Sequence, residues 1–267
     1  MKAACIQMNI SLCSKQENLK HALSLAEEAV SKGAELLAFP EVFSTGFCYD
    51  HINEVAETPS GLTLEALSDF SKEHDCIFVG SMIEKRETSL EDGRQDSIPP
   101  QCNLGFCIES GKLAGMHRKT HLYGPEKEHF AHGNRIFPIK LEKQEISIGV
   151  IVCNELRYPE VARKLALEGA DILVSASEIP DFFGYPWRLI SLTRALENRI
   201  PHVACNRAGK DLYSTYFGNS FIADGWGRIL AEAGKEECVL LGEIDLEEAN
   251  EIKINSSIFE DRRPELY

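Results

Sequence analysis

The chain has 267 residues, 43% hydrophobic and 26% charged, which is enough apolar side chain for a core and too little bias for a disordered or fibrous protein. Its 42 acidic and 28 basic residues leave a formal charge of -14, which repels phosphate backbones and anionic lipid, so neither nucleic acid nor a membrane is expected as a partner. The nine cysteines form no C-x2-C pair and no secreted-type framework, and no run of about 18 apolar residues occurs, so a reducing, cytoplasmic setting is expected.

The opening MKAACIQMNI places Gln7 and Asn9 where an export signal needs apolar residues. From residue 16, Leu19, Ala22, Leu23, Ala26 and Val30 recur at steps of three and four, which predicts a helix stopped at Gly33 and followed by a short buried strand, Leu36 to Phe39. The unit recurs as Leu64, Leu67 and Phe70 before CIFVG, as Val161, Ala162, Leu165 and Ala166 before DILVSAS, and as Trp187, Leu192 and Leu196 before PHVACN. Two hairpins are predicted, one turning around Gly111 and Lys112 and one around Gly225 to Gly227. The polar stretch ETSLEDGRQDSIPPQ reads as a surface excursion between strands. Helices alternating with strands, with hairpins among them, predict an α/β layered protein with mixed sheets. One domain over 1–267 is expected, with a core to about 245 and an irregular C-terminal arm over about 246–267, either frayed or packed on a second subunit.

Three strand ends carry reactive side chains. Cys153 closes EISIGVIV and precedes NELRYPEVARKLA, whose Pro159 suits the first turn of a helix. A cysteine on such an elbow stands clear of the sheet beside free backbone N–H groups, although burial in the core is the commonplace fate of a single cysteine. Glu41 follows LLAFP, where desolvation would raise its pKa toward that of a usable base, and a solvated loop glutamate is the alternative. Lys119 ends LAGMHRK; alone it would be an ordinary solvated charge. Together the three make sense, because a thiol with a pKa near 8.5 needs a base and an ammonium can hold the oxyanion formed when sulfur attacks a carbonyl.

The segments LLAFPEVFSTGF, HRKTHLYGPEKEHFAHG and IGVIVCNELRYPEVARKLALEGADILVSAS resemble, in order and spacing, the three signature regions of the nitrilase superfamily of carbon-nitrogen hydrolases, and the likeness extends to RALENRIPHVACNRAG, FGNSFIADGWGRIL and the closing DRRPELY. The resemblance implies a four-layer αββα sandwich, a Glu41-Lys119-Cys153 triad, a substrate-positioning Glu126 with Glu128 as its rival, an oxyanion N–H from Asn154, no cofactor or metal, and at least a homodimer. The elbow reads Cys153-Asn154-Glu155, where the family often has Cys-Tyr-Asp or Cys-Trp-Asp and nitrile hydrolysers have Cys-Trp-Glu. That departure favours hydrolysis of a small aliphatic or ω-amide to an acid and ammonia, with N-carbamoyl hydrolysis as the alternative, nitrilase activity less favoured, and a silent, ligand-binding member as the non-enzyme reading. Phe43, Phe47, Tyr49, Tyr123, Phe182, Phe183, Tyr185 and Trp187 lie on loops expected to rim the site. A Cys-His protease lacks its local signature, zinc has only the spaced pairs His117/His121 and His129/His132, and no glycine-rich phosphate loop is present.

Overall fold

A computed structural model describes residues 1–86 and 99–266. The polar stretch expected to be a surface excursion lies for the most part outside the described residues.

Two six-stranded sheets dominate. The first runs from edge to edge as Cys238–Glu243, Lys2–Gln7, Leu36–Ala38, Ile77–Lys85, Gln101–Glu109 and Lys112–Arg118; the second as Ile139–Lys140, Ser147–Val152, Ile172–Ser177, His202–Asn206, Phe221–Ala223 and Ile229–Glu232. In each sheet the pairings run antiparallel, parallel, parallel, antiparallel, antiparallel. The sheets are therefore mixed, as the combination of helix-linked units and hairpins predicts.

Side-chain alternation decides the layers. Ala4, Ile6, Leu37 and Phe78 pack on Leu19, Ala22, Ala26, Leu64 and Leu67 of the helices Lys15–Ser31 and Leu62–His74. Their neighbours Ala3, Cys5, Leu36, Ala38 and Val79 turn the other way and meet Ile148, Val150, Val152, Val174 and Val203 of the second sheet. Behind that sheet, Ile151, Leu173 and Ala204 pack with Val161 and Leu165 of helix Pro159–Leu167 and Trp187 and Ala195 of helix Gly184–Asn198. The order is helix, sheet, sheet, helix, and strands buried on both faces read as continuous apolar runs. The sheets approach closely at Gly105, where a Cβ would lie 2.9 Å from Val150 Cγ1.

Three features differ from expectation. The first hairpin turns at Ser110 and Gly111, both at positive φ as a two-residue hairpin requires, one residue earlier than expected. The tail opens as a helix, Leu246–Ile254, and not as an irregular arm: Asp245 accepts from Glu247 N and Glu248 N, and Ala249 and Ile252 are buried. With only two apolar residues facing inward, the apolar period is too weak to announce it. Cys13 and Cys48 form a disulfide, so seven of the nine cysteines are free thiols.

Candidate active site

Glu41 follows the Leu36–Ala38 strand, Lys119 follows Lys112–Arg118 and Cys153 follows Ser147–Val152, so the chain brings the ends of strands from both sheets to one place. Lys119 Nζ lies 2.6 Å from Glu41 Oε1 and 2.6 Å from Glu126 Oε1, and all three side chains are buried. These are short, charge-assisted bonds between side chains shielded from bulk solvent. Asn103 Nδ2 donates to the same Glu41 oxygen at 2.8 Å, while Glu41 Oε2 is buried without a hydrogen-bond partner among the described residues, in the cavity that Glu41 and Cys153 both line. Burial raises the Glu41 pKa against the opposing pull of Lys119, and burial together with the Glu41 charge pushes the Cys153 thiol well above its ordinary value. A neutral thiol thus faces a carboxylate able to take its proton.

The backbone is strained at this point. Cys153 has φ 45° and Val42, next to Glu41, has φ 41°, a region that a β-branched residue seldom occupies. Bonds around each position hold it. Val42 N donates to Ser81 Oγ at 2.9 Å. Beside the elbow, the buried Glu155 accepts from Val152 N at 2.8 Å, Thr120 N at 2.7 Å and Thr120 Oγ1 at 2.6 Å, and pairs with His117 at 2.9 Å. Glu155 therefore joins the residue after Lys119 to the residue before Cys153. Burial works against its ionised form, but the His117 charge and these hydrogen bonds hold its pKa down to about 2. Lys119 is fixed from the other side by Gly133, whose N–H donates to Lys119 O at 2.9 Å; a Cβ there would fall 1.9 Å from Arg118 O.

Around the thiol lies a small cavity of about 80 Å³, lined by Glu41, Glu126, Glu178, Phe47, Tyr123, Trp187 and other apolar groups. Arg157 stands at its mouth with its guanidinium 4.1 Å from the Phe183 ring centroid and 5.1 Å from that of Tyr123. Among the described residues no carboxylate pairs with it.

The residue pattern of carbon-nitrogen hydrolases matches residues 2–254. The chain belongs to the carbon-nitrogen hydrolase family. It is 34% identical, over all of its own length and 98% of the relative's, to a probable nitrilase of Schizosaccharomyces pombe, and 29% identical, over 99% and 98%, to the 2-oxoglutaramate amidase of Bacillus subtilis. Its fold superposes on Nit3 of Saccharomyces cerevisiae, from branch 10 of the nitrilase superfamily, with a TM-score of 0.86 and 26% identity, covering 98% of this chain and 96% of that one.

Within this carbon-nitrogen hydrolase the expected site residues converge, with refinements. Glu126 reaches Lys119 and also accepts Tyr123 N at 2.9 Å, while Glu128 is exposed. The Asn154 side chain bonds His121 O at 3.1 Å. Phe47, Tyr123, Phe182, Phe183 and Trp187 line the cavity and Tyr49 an adjoining one, but Phe43 is a core residue stacked 4.7 Å from Phe39, and Tyr185 is exposed away from the cavity lining. The histidines weighed as zinc ligands have other partners: His117 pairs with Glu155, His121 stacks on Tyr158, His129 stacks on Tyr49 and His132 bonds Thr120 O. Sequence reasoning missed Asn103 and Arg157, and it set Glu178 at the start of a rim loop without a role; a polar residue inside the apolar run CNLGFC was the available signal for the first, and a carboxylate directly after DILVSAS for the last.

Proposed function

We propose that this carbon-nitrogen hydrolase is a small-molecule amidase that cleaves a primary ω-amide of a carboxylic acid. The observation that carries the chemistry is Lys119 held at 2.6 Å between Glu41 and Glu126 with the thiol of Cys153 facing Glu41. Glu41 takes the thiol proton as sulfur attacks the amide carbon. Lys119 and the Asn154 N–H hold the oxyanion, where one donor is typically worth about 3 to 4 kcal/mol. Glu41 then gives the proton to the leaving nitrogen, ammonia departs, and a thioester remains on Cys153. Water attacks it, Glu41 takes the water's proton, and the acid leaves as the thiol is restored. Glu126 keeps Lys119 in place to meet the oxyanion.

Arg157 supports the ω-amide class. A guanidinium stacked on two rings at the mouth of an apolar cavity, with no carboxylate paired to it among the described residues, suits a carboxylate at the far end of the substrate. That agrees with the relative named for 2-oxoglutaramate. Exposed Leu167, Leu189 and Leu196 on the outer helices support a homodimer; the seven free thiols support a cytoplasmic setting, and the Cys13–Cys48 disulfide weighs against it. Ammonia release from ω-amides, simple aliphatic amides, carbamoyl amino acids and nitriles tests the reading. Cys153→Ala is expected to abolish turnover in a folded protein, and Arg157→Met to raise KM for carboxylate-bearing amides alone; full activity in Cys153→Ala would overturn it.

A further inference from the structure

Arg207 is wholly buried and follows the His202–Asn206 strand. Its Nη1 donates to Glu178 Oε1 at 2.6 Å and Asp211 Oδ2 at 2.8 Å, its Nη2 donates to Ile10 O at 2.7 Å, and its guanidinium carbon lies 3.9 Å from the Tyr216 ring centroid. Tyr216 in turn donates to Asp211 at 3.0 Å. The Arg207 N–H donates to Ser177 O at 3.0 Å, and that carbonyl also accepts Glu41 N at 3.4 Å. Desolvating a cation and two carboxylates is costly, and apolar residues of similar volume would often be as stable or more so. The cluster's position suggests what it is for. Glu178 stands at the first position after the Ile172–Ser177 strand and lines the cavity that holds Cys153, together with Ile179 and Pro180.

We propose that the hydrogen bond from Arg207 to the Glu178 side chain is a positioning device for the nucleophile: it fixes the segment 177–180 so that the Glu178 backbone N–H stands at the Cys153 sulfur. This rests on the reading of Cys153 as nucleophile. The N–H favours the thiolate, countering the burial and the Glu41 and Glu126 carboxylates that oppose it, alongside Lys119. Arginine suits the task because its planar fork fixes several acceptors at once, whereas a lysine would reach the same place as a mobile point charge. Glu178 acts here through its backbone, as a positioning residue.

The test uses the full chain. Iodoacetamide labelling of Cys153 without substrate, followed by peptide mass from pH 5 to 10, gives the pH midpoint of thiol reactivity; kcat and KM are measured on a primary ω-amide. In folded Glu178→Ala the midpoint is expected to rise by about one pH unit, and kcat to fall about tenfold or more with KM little changed. Glu178→Gln keeps an oxygen acceptor for Nη1 and is expected to restore both. Should Glu178→Ala not fold, Arg207→Lys is expected to shift the midpoint where Glu178→Gln does not. Wild-type midpoints and kcat in the Ala and Lys variants overturn the proposal. So do equal losses in the Ala and Gln variants with a raised KM, which would make the carboxylate a substrate contact. If intact mass during turnover of a primary ω-amide shows no covalent adduct on Cys153 and Cys153→Ala keeps full activity, the functional reading beneath the proposal fails instead.

Discussion

The two sheets carry the same order of pairings, and in each a middle parallel strand leads into a buried carboxylate: Glu41 after Leu36–Ala38, Glu178 after Ile172–Ser177. Their cations differ. Glu41 meets Lys119, which is shared with Glu126, while Glu178 meets Arg207, which is bound as well to Asp211 and to the Ile10 carbonyl. An ammonium is a compact charge with three donors that can turn toward a developing oxyanion, whereas the guanidinium is committed to fixed acceptors. Each carboxylate keeps one buried oxygen without a hydrogen-bond partner among the described residues, so the contrast lies in the cations. Matching strand ends therefore supply burial in both sheets, and the cation decides whether the carboxylate beside it is poised to react or locked as scaffold.

The largest effect expected from breaking that contrast is on Glu41. Glu41→Gln keeps the shape and the Lys119 contact but removes the base, so kcat should fall about 10²- to 10⁴-fold in a protein with wild-type melting; the matching Glu178→Gln should lose little. Equal losses in the two glutamine variants would mean that the two carboxylates do not differ in kind. Next comes Lys119→Arg, which conserves charge. The larger, planar group cannot retain both 2.6 Å contacts in a fully buried site, and loss of the oxyanion donor should reduce kcat about 10²- to 10³-fold. Unchanged turnover would show that any cation serves.

Much of this was legible in the sequence, for physical reasons that can be traced residue by residue. Glu41, Lys119 and Cys153 each end a run whose apolar pattern marks a buried strand, so their placement follows once the strands are recognised. Glu178 stands in the same relation to its strand, but its meaning depends on Arg207, 29 residues away on another strand end, and nothing in local pattern announces that partner. Phe43 shows the opposite failure: it belongs to a loop with rim residues, yet it stacks on Phe39 and meets Phe106 edge-on because the chain turns back over the sheet there. The tail helix and the Cys13–Cys48 bridge were hidden for similar reasons, one by a short apolar face and the other by a separation of 35 residues.

Glu155 sharpens the comparison from the side of stability. It joins the two sheets at the elbow through bonds to Thr120, Val152 and His117, and removing its charge leaves His117 buried without its counter-ion. Glu155→Gln should cost about 3 to 5 kcal/mol in denaturant unfolding. In the wild type the carboxylate's contribution is full above its unfolded pKa and fades as pH falls toward about 2. A variant as stable as wild type at neutral pH would show that the elbow is held by packing alone.

The smallest effect expected concerns pH, and there the reactive cluster should work against its own stability. Burial pushes the Glu126 pKa up to about 7, although Lys119 opposes the shift. Holding Lys119 requires the ionised form, so kcat/KM should rise with pH through that region. Stability should move the other way: with the folded pKa above the unfolded value, the contribution of the protonated acid is fully present below the unfolded pKa and is lost as pH rises through about 7. The titration belongs to the cluster of Glu41, Glu126, Lys119 and Cys153, so substitution is needed to assign it. Glu126→Gln should flatten both the activity limb and the stability slope in that window, at reduced kcat. If the limb persists unchanged, the proton belongs to Glu41 and Cys153, and Glu126 holds Lys119 in either protonation state.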